Sequence, residues 1–419
     1  MSFPRYPAYK DSGVEWLGEV PAHWEVAPFK HLVDIQNGAD HKNIERDDGY
    51  PVIGSGGVFA YASEFMYDGE SVLLGRKGTI DKPLFVSGRF WTVDTMYWTK
   101  IAPEASARFA YYTALTIPFD YYSTNTALPS MTKGVLHAHR VARPSLSEQC
   151  AIASFLDRET AKIDALVEEQ KRLIELLKEK RRAVISQAVT KGLDPNVPMK
   201  DSGVEWLGEV PAHWEITRLK FVATVQTGIA KGKDNAGKET VTVPYLRVAN
   251  VQDGRIDLTD VAEIEISAVD LPRYLLRRGD VLMNEGGDFD KLGRGHVWDA
   301  SIDPCIHQNH VFAVRPAAVS PEWLNLFAGT TQAQFYFMSR SKQSTNLASI
   351  SSTNVMELPV AVPTSDESAR IAGFVADLTG KVDALIDEAA RGVRLLTERR
   401  AALISAAVTG KINVCSLTA

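Results

Sequence analysis

The sequence Lys-Asp-Ser-Gly-Val-Glu-Trp-Leu-Gly-Glu-Val-Pro-Ala-His-Trp-Glu stands at residues 10–25 and is repeated, letter for letter, at residues 200–215. We call this stretch the duplicated motif. A string that holds two tryptophans and a histidine does not recur by chance, and its two copies start 190 residues apart. The repeat indicates that the chain contains two copies of one structural unit.

A second pair of matches follows the two copies of the motif. Ile-Asp-Ala-Leu at 163–166 matches Val-Asp-Ala-Leu at 382–385, and Ala-Val-Thr at 188–190 recurs at 407–409. These matches are 219 residues apart, which exceeds the spacing of the duplicated motif by 29 residues. The second copy therefore has a longer intervening segment. The pattern predicts one shared scaffold that presents two different segments.

Each intervening segment leads into a long stretch without proline. From about residue 148 to 189, and from about 367 to 408, Lys, Arg, Glu, Ala and Leu dominate, which is typical of helix. About 42 residues at 1.5 Å per residue extend about 63 Å. Mostly apolar residues follow alternating steps of four and three residues. These positions are Ile152, Leu156, Glu159, Ile163, Leu166, Gln170, Leu173, Leu177, Lys180 and Val184, then Ile371, Val375, Leu378, Val382, Leu385, Ala389, Gly392, Leu396, Arg399 and Leu403.

An average step of 3.5 residues indicates a coiled-coil seam. The alternative is that each stripe docks only on its own globular domain. We favour mutual pairing, because each helix supplies the partner that the other needs. If a two-fold axis relates the two copies, the helices run antiparallel. We therefore predict an α+β fold with two similar α/β domains, separated by two long coiled-coil helices, and a pseudo-two-fold internal repeat.

The intervening segments contain runs of β-branched and aromatic residues, which predict strands. Glycine-rich stretches between them predict loops. We expect strands at 71–74 and 93–98 in the first segment, strands at 241–243, 280–283 and 311–314 in the second, and loops at 54–57 and 285–288.

The bulk composition is that of a soluble globular protein. Of the 419 residues, 45% are hydrophobic and 23% are charged, and no stretch approaches 18 apolar residues. Three scattered cysteines lack CxxC spacing, so we expect a reduced, cytoplasmic protein. The net charge is −6, whereas a protein that binds DNA alone is usually basic. A DNA-binding role would therefore benefit from partners that bring positive charge.

Catalytic signatures are missing from the sequence. Residues 232–239 nearly fit a phosphate-binding loop, but Glu239 stands where a Mg²⁺-binding Ser or Thr is needed. The histidines and the cysteine between residues 296 and 310 do not have the spacing of common zinc ligands. No Asn-Pro-Pro-Tyr or Asp-Pro-Pro-Tyr string of an amino-methyltransferase occurs. We expect no catalytic residue, metal or cofactor in this chain.

The duplicated motif resembles a motif of the specificity (S) subunit of type I restriction-modification systems. The segments at 143–149 and 358–363 are similar to the proline-containing junction that precedes the conserved helix of that family. One departure is Ser-Asp-Glu-Ser at 365–368, where the first copy has Ser-Glu-Gln. The resemblance covers essentially the whole chain, since both halves carry motif, segment, junction and helix in the family's order.

The resemblance implies a domain organisation and a function. Residues 1–146 would form a first target recognition domain, and 147–199 the first spacer helix with a linker. Residues 200–364 would form the second recognition domain, and 365–419 the second spacer helix with a C-terminal tail. Each domain would read one half of a split, asymmetric sequence in double-stranded DNA. The paired helices would set the gap between the two halves.

The resemblance also implies partners. Two methyltransferase (M) subunits would modify adenine, one at each half-site, and two restriction (R) subunits would translocate and cleave unmodified DNA. S-adenosylmethionine, ATP and Mg²⁺ would be bound by those partners, so this chain would be a non-catalytic subunit.

Base recognition needs Arg, Lys, Asn, Gln or Ser side chains on exposed loops. By that criterion we select candidate DNA-binding residues in both domains. The tryptophans of the duplicated motif, in contrast, stand beside different segments, so we expect them to pack the domain on the helices. The candidates are Lys42, Ser55, Arg76, Lys77, Asn125, Lys133, Arg247, Asn250, Asn284, Lys291, Arg294, Asn309, Arg340, Lys342 and Asn346, and the structural tryptophans are Trp16, Trp24, Trp206 and Trp214.

Two other functions remain open at this stage. A two-headed coiled-coil adaptor would bind proteins instead of DNA. A self-contained DNA modification enzyme would bind S-adenosylmethionine by itself, and the absence of the methyltransferase motif counts against it.

Overall fold

The computed structural model describes residues 3–122, 129–232, 237–287, 289, 292–343 and 348–417. The chain divides into two compact units. Unit 1 comprises residues 1–172 and 389–419, and unit 2 comprises residues 173–388. Each unit therefore contains one copy of the duplicated motif, one β-rich domain and parts of two long helices. The fold is α+β, as the sequence predicts.

Unit 1 is built on a four-stranded sheet of order β10-β9-β12-β4 and a five-stranded sheet of order β5-β7-β6-β11-β8. Short antiparallel pairs, β1 with β2 and β3 with β13, complete it. The strands are β1 (Tyr9–Asp11), β2 (Glu19–Pro21), β3 (Glu25–Pro28), β4 (Val33–Asn37), β5 (Glu45–Arg46), β6 (Tyr50–Gly54), β7 (Gly57–Ala62), β8 (Tyr67–Asp68), β9 (Ser71–Gly75), β10 (Leu84–Val86), β11 (Arg89–Thr92), β12 (Met96–Ile101) and β13 (Arg140–Arg143).

Three short helices, α1 (Ala107–Ala114), α2 (Phe119–Tyr122) and α3 (Lys133–Ala138), follow the sheets of unit 1. The sequence predicts a strand at 93–98, but the strand β12 begins at Met96. Residues 93–95 instead form the turn from β11 to β12, where the Met96 N–H donates to the carbonyl oxygen of Val93 at 3.0 Å. The predicted strand at 71–74 and the predicted turn at 54–57 are present, as β9 and as the connection from β6 to β7.

Unit 2 repeats the arrangement of unit 1. Its four-stranded sheet has the order β17-β26-β22-β24, and a strand pair, β16 with β29, matches the pair of β3 with β13. The strands are β14 (Met199–Asp201), β15 (Glu209–Pro211), β16 (Glu215–Arg218), β17 (Ala223–Thr227), β18 (Thr240–Leu246), β19 (Val251–Gln252), β20 (Arg255–Ile256), β21 (Ala262–Ser267), β22 (Val281–Asn284), β23 (Gly286–Gly287), β24 (Gly295–Val297), β25 (Ile306–His307), β26 (Val311–Pro316), β27 (Lys342–Gln343), β28 (Ala348–Ser349) and β29 (Pro359–Val362).

The parallel pairing of β6 with β11 in unit 1 has a counterpart in the parallel pairing of β18 with β25 in unit 2. Within the predicted loop at 285–288, Gly286 and Gly287 form the short strand β23, which pairs with β28. A glycine pair can enter a strand when a neighbouring backbone supplies the hydrogen bonds. The short helices are α5 (Leu271–Tyr274), α6 (Pro321–Ala328), α7 (Thr331–Arg340) and α8 (Ser352–Met356).

Two long helices, α4 (Leu146–Lys191, 46 residues) and α9 (Ser365–Val408, 44 residues), confirm the predicted helices and extend them by a few residues. In unit 1, Arg400 of α9 pairs with Asp164 of α4 at 2.7 Å. Gly392, two turns earlier in α9, lies beside Gln170, further along α4. The two helix segments of unit 1 therefore run antiparallel.

The helix segments of unit 2 are antiparallel as well. Arg181 Nη1 lies 2.5 Å from Asp383 Oδ1, and Gly192 lies beside Glu367. The seam is buried mainly where the helices enter the domain cores, at positions such as Ile152 and Leu156 in unit 1 and Ile371 and Val375 in unit 2. Further along the stripe Leu166, Leu173 and Leu385 are 45%, 43% and 56% exposed. The helix pair and docking on the domains thus both account for the apolar stripe.

Among the described residues, no helix combines the length and the apolar character that a membrane span requires.

Candidate nucleic-acid interface

A buried tryptophan attaches the duplicated motif of unit 1 to the first turn of α4. Trp24 is fully buried, and its Nε1 donates a hydrogen bond to Glu148 Oε1 at 3.1 Å. His23 Nε2 lies 2.8 Å from the same oxygen. Ser145 precedes the helix, and its hydroxyl donates to Glu148 Oε2 at 2.8 Å. Its backbone N–H donates to the same oxygen at 3.3 Å, and its hydroxyl accepts from the Glu148 N–H at 3.4 Å, which is a capping box. We call these four residues the joint of unit 1.

The hydrogen bonds of the joint lower the pKa of the Glu148 carboxyl. Burial pushes the pKa of this carboxyl upward, but the hydrogen bonds from His23, Ser145 and Trp24 outweigh burial and hold the pKa below its ordinary value. The carboxylate is therefore ionised at neutral pH. It also lies in the first turn of α4, where a negative charge is stabilised by the helix dipole.

Unit 2 has the same joint. Trp214 is fully buried, and its Nε1 donates to Glu367 Oε2 at 2.9 Å. His213 Nε2 lies 2.8 Å from that oxygen. Thr364 replaces serine as the residue before the helix, and its hydroxyl accepts from the Glu367 N–H at 3.3 Å. The sequence departure at 365–368 thus leaves the start of α9 in the matching place.

Each copy of the motif also contacts the end of a long helix within its own unit. Gly410 follows α9 with φ +75°, accepts a hydrogen bond from the Tyr9 hydroxyl at 3.0 Å, and lies so close that a Cβ would be 2.3 Å from Pro21 Cδ. Gly192 follows α4 with φ +77°, and a Cβ there would be 3.7 Å from Pro211 Cγ. Motif and helix ends therefore form one packed scaffold in each unit.

The other two tryptophans of the motif are less buried. Trp16 is 48% exposed, stacks on the His139 ring at 5.1 Å, and donates from Nε1 to the Arg140 carbonyl oxygen at 3.3 Å. Burial lowers the pKa of His139 to about 4, so its ring is neutral at neutral pH. Trp206 contacts Tyr336 at 5.6 Å. All four tryptophans of the motif thus make packing contacts with the protein.

At the C-terminal end of β9, unit 1 contains a group of mostly polar residues around a turn. We define residues 75–77 and 92–95 as the strand-end cluster of unit 1. Arg76 is half-buried, and its Nη1 donates to the Asp94 carbonyl oxygen at 3.2 Å. The turn is packed against Gly38, where a Cβ would lie 2.0 Å from a carbonyl oxygen of the turn. The backbone of the cluster is therefore closely held.

The strand-end cluster of unit 2 comprises residues 284–286 and 307–310. Here Glu285 Oε2 lies 2.8 Å from His310 Nδ1. Gly228 packs against the turn as Gly38 does in unit 1, and a Cβ there would lie 2.1 Å from a carbonyl oxygen of the turn.

Backbone hydrogen bonds show that Arg76 and Glu285 occupy equivalent positions. The Arg76 N–H donates to the carbonyl oxygen of Thr95, and the Glu285 N–H donates to that of His310, both at 2.9 Å. The carbonyl oxygens of Arg76 and Glu285 each accept from the residue two positions before a short helix, α3 at 3.0 Å and α8 at 2.9 Å. The two clusters therefore have the same pattern of backbone hydrogen bonds and differ in side-chain charge.

The predicted DNA-binding residues of the first domain that the structure describes lie on four segments. Arg76 and Lys77 belong to the strand-end cluster, and the segment before Lys133 pairs with Lys77 through a β-bridge at Ser130. Lys42 is exposed in the loop before β5, and Ser55 is half-buried in the turn from β6 to β7. The segment that leads to Lys133 thus lies next to Arg76 and Lys77, and Lys133 Nζ lies 4.0 Å from Asp34 Oδ1.

In the second domain the structure brings three of the predicted residues to the strand-end cluster. Asn284 and Asn309 belong to it, and Arg294 adjoins it, because the Asn284 N–H donates to the Arg294 carbonyl oxygen at 3.1 Å. Asn309 is half-buried. Asn284 is buried, and its Nδ2 donates to the Val251 carbonyl oxygen at 2.9 Å, so its side chain is bonded to strand β19.

The remaining predicted residues of the second domain are spread. Asn250 is buried, and its Nδ2 donates to two backbone carbonyl oxygens, so it shapes a loop instead of facing solvent. Arg247 pairs with Asp260 at 2.8 Å. Arg340 ends α7 and is exposed, and Lys342 is exposed on β27, in the same small sheet as β23 of the strand-end cluster. Asn125, Lys291 and Asn346 lie outside the described residues.

Sequence reasoning did not select Glu285, His310 or the joint carboxylates Glu148 and Glu367. The sequence contains a usable signal, because Gly-Glu-Ser-Val-Leu-Leu at 69–74 is similar to Gly-Asp-Val-Leu-Met at 279–283, and Arg76 and Glu285 each stand two residues further on. The joint carboxylates each stand three residues after a Ser or Thr, which is the spacing of a capping box.

The histidines and the cysteine considered for zinc do not converge. His307 is buried, its Nδ1 lies 2.7 Å from the Val311 carbonyl oxygen, and burial lowers its pKa to about 4. Burial raises the pKa of the nearby Cys305 thiol to about 12. Within the described part of the chain, no group of three or more His, Cys, Asp and Glu side chains is arranged to hold a metal ion.

Comparisons with known proteins show similarity to one family. The family of the type I restriction modification DNA specificity domain matches residues 21–176. The EcoBI specificity subunit of Escherichia coli is 21% identical over 436 residues, which cover 96% of this chain and 89% of that protein. The chain is thus similar in sequence to type I specificity subunits. The EcoKI specificity subunit of Escherichia coli is 24% identical over 278 residues, 64% of this chain.

The chain spans just over half the length of the EcoKI specificity subunit, 57%. A chain in a solved structure, described as the structural basis of complex assembly and conformational transition of a type I restriction-modification system, superposes with a TM-score of 0.66. The superposition covers 93% of this chain and 98% of that chain, at 16% identity. This likeness establishes a shared fold.

Proposed function

We propose that this chain is the DNA sequence-recognition subunit of a type I restriction-modification complex. Each of its two domains reads one half of a bipartite, asymmetric target. The observation that supports this most strongly is the repeat of one joint, built on Trp24 and Trp214, in two domains whose strand-end clusters have different side chains. A scaffold that is kept while the polar loops change is what recognition of two different sequences requires.

The proposed subunit performs no chemical step itself. Two methyltransferase subunits, which bind S-adenosylmethionine, modify one adenine in each half-site. Two restriction subunits, which use ATP and Mg²⁺, cleave DNA that lacks the modification. The net charge of −6 supports such an assembly, because the chain has fewer basic than acidic side chains and DNA phosphates must be neutralised by basic ones.

The test is to co-express this chain with the methyltransferase encoded beside it, in a host without adenine methylation, and to map modified adenines across the genome. We expect one bipartite motif, modified on both strands. A soluble complex that modifies no site would contradict the proposal. Salt-dependent binding of DNA by the same complex separates a DNA-recognition subunit from a protein adaptor, since release of counterions from phosphates makes DNA affinity fall steeply with salt.

We also infer that the helix pair sets the gap between the half-sites. Inserting four residues after Leu177 lengthens α4 by about 6 Å. The expected result is a longer gap in the modified motif, or loss of modification if the unmatched α9 prevents the longer pairing. A control insertion of four residues in the linker at 193–197, outside both helices, should leave the gap unchanged. An unchanged gap in an active α4 insertion variant would show that the helices do not set it.

A further inference from the structure

The strand-end clusters carry opposite charge at one backbone position. Arg76 in unit 1 and Glu285 in unit 2 make the same two backbone hydrogen bonds, so their side chains leave the sheet from the same place in the fold. An arginine offers only hydrogen-bond donors, whereas a glutamate carboxylate offers only acceptors. The two domains therefore present complementary hydrogen-bonding character at matching positions.

We propose that Arg76 and Glu285 are specificity-determining residues that read base edges of opposite character. Arg76 recognises a guanine in the half-site of the first domain. Glu285, oriented by His310, accepts a hydrogen bond from an exocyclic amino group, that of cytosine, in the half-site of the second domain. This inference rests on the proposed function and deepens it.

The surroundings of Arg76 suit a bidentate contact. Its Nη1 donates to the Asp94 carbonyl oxygen at 3.2 Å, and its guanidinium lies 5.9 Å from the centre of the Tyr97 ring. These contacts hold one side of a group that has five N–H donors. The remaining donors form the planar fork that matches the O6 and N7 acceptors of guanine in the major groove.

Glu285 is held by a row of polar side chains. Its Oε2 lies 2.8 Å from His310 Nδ1, and His310 Nε2 lies 3.3 Å from Asn309 Nδ2. Because an amide NH₂ can only donate, this row places the ring proton on Nδ1, where it is donated to the carboxylate. The histidine engages one carboxylate oxygen, and the carboxylate has a second oxygen to accept from a base.

Charge separates base recognition from phosphate binding at this position. A carboxylate is repelled by DNA phosphates, so Glu285 weakens sequence-independent affinity. A base amino group, by contrast, needs an acceptor, and Glu is one of the side chains that accept from the N4 amino group of cytosine. An arginine can bind either a phosphate or a base, whereas a glutamate that contacts DNA is suited only to base recognition.

The variants Arg76→Gln and Glu285→Gln test the inference in the complex with the methyltransferase. Arg76→Gln should relax base preference at one position of one half-site, and Glu285→Gln at one position of the other. Loss of one such base contact corresponds to about a 10- to 100-fold loss of discrimination. The measurement is the modified motif across the genome, compared with that of the unaltered chain.

Two control variants remove the same charges at exposed sites outside the strand-end clusters. Arg89→Gln removes an exposed arginine that pairs with Asp68, and Glu263→Gln removes an exposed carboxylate on β21. Both should leave the motif unchanged. Purified complexes of all four variants are also compared by thermal unfolding, because a merely structural role for Glu285 would lower the extent of modification without changing the base preference.

The outcomes distinguish this inference from the proposed function. If the unaltered chain directs no modification, the proposed function fails. If the unaltered chain gives a bipartite motif and Arg76→Gln and Glu285→Gln both retain it, the inference is overturned. It is also overturned if both variants relax the same half-site, or if the position affected by Glu285→Gln is an A·T pair instead of a G·C pair.

Discussion

The joints and the strand-end clusters differ in what the two units share. At the joints, Trp24 with Glu148 and Trp214 with Glu367 repeat the same chemistry at nearly the same distances. At the strand-end clusters, Arg76 stands where the other unit has Glu285. Packing against a helix permits few alternatives, whereas a polar group on a loop can change without loss of the fold. The repeated residues therefore mark the scaffold, and the differing residues mark the surface where the units act differently.

The largest effect is expected from truncating the buried tryptophan of either joint. Trp24→Ala and Trp214→Ala each remove a fully buried side chain and leave a carboxylate without its indole donor. Each variant should lose about 3–5 kcal/mol of unfolding free energy, because a large aromatic side chain leaves a cavity in the core. Denaturant unfolding of the purified chain measures this.

Trp16→Ala is the matched control for that substitution, since Trp16 belongs to the same motif but is 48% exposed. Its loss should be well under half of that for Trp24→Ala. Equal losses at Trp16 and Trp24 would contradict the assignment of the joint to the buried tryptophans.

A buried ion pair distinguishes the cores of the two units. Asp280 is fully buried in unit 2, and both of its carboxylate oxygens lie 2.7 Å from the Arg315 guanidinium. In unit 1 the matching strand begins with Ser71, whose hydroxyl donates to the Thr99 carbonyl oxygen at 2.8 Å. Asp280→Asn should cost about 3 kcal/mol, because an arginine then lacks its counter-charge. Ser71→Ala should cost about 1 kcal/mol. Unfolding by denaturant compares the two, and a larger loss for Ser71→Ala would refute this ranking.

The glycines after the long helices provide the third comparison. Both have positive φ, but a Cβ at Gly410 would lie 2.3 Å from Pro21 Cδ and 2.9 Å from Trp24 Cζ3, whereas the nearest atom to a Cβ at Gly192 is Glu367 Oε1 at 3.2 Å. Gly410→Ala should cost about 2–3 kcal/mol and Gly192→Ala about 1 kcal/mol. Thermal unfolding of the two variants measures whether Gly410→Ala lowers the melting temperature more than Gly192→Ala does. Equal melting temperatures would mean that the backbone conformation alone sets the cost.

The smallest predicted effect concerns the charge of Glu148. Its pKa in the folded chain lies below the ordinary value of 4.5, so the carboxylate stabilises the fold above that pH, and the contribution is lost as pH falls through the lowered pKa. Glu148→Gln should cost about 1 kcal/mol at neutral pH and little in acid. Unfolding free energies of both chains between about pH 3 and pH 7 should converge at the low end. If the two unfolding free energies differ by the same amount at every pH, the charge of Glu148 does not cause the effect.

The sequence predicted those features that depend on periodicity and on the repeat. The two long helices follow from 3.5-residue spacing, and the two-unit organisation follows from the identical copies of the motif. The strand predicted at 93–98 was wrong in its first half, because Val93 and Asp94 turn the chain through a hydrogen bond that local composition does not reveal. Side chains such as Asn250 and Asn284 have the composition of a binding surface, but their burial depends on tertiary packing.

The candidate site was less accessible from sequence than the fold. Arg76 could be selected because arginine is a frequent base reader, whereas Glu285 becomes a candidate only once the backbone hydrogen bonds align it with Arg76. Residues that hold loops and residues that face solvent have the same amino-acid types. Only the three-dimensional arrangement separates them.

The most direct test of the account replaces residues 216–364 with a second copy of residues 26–145, so that both joints carry the first recognition segment and keep a Ser or Thr three residues before the carboxylate. The complex of this chain with the methyltransferase is then used to map modified adenines. The account predicts a motif that contains the first domain's half-site twice, once on each strand, and lacks the second half-site. Modification of the original asymmetric motif, or of sites that contain the first half-site only once, would contradict it.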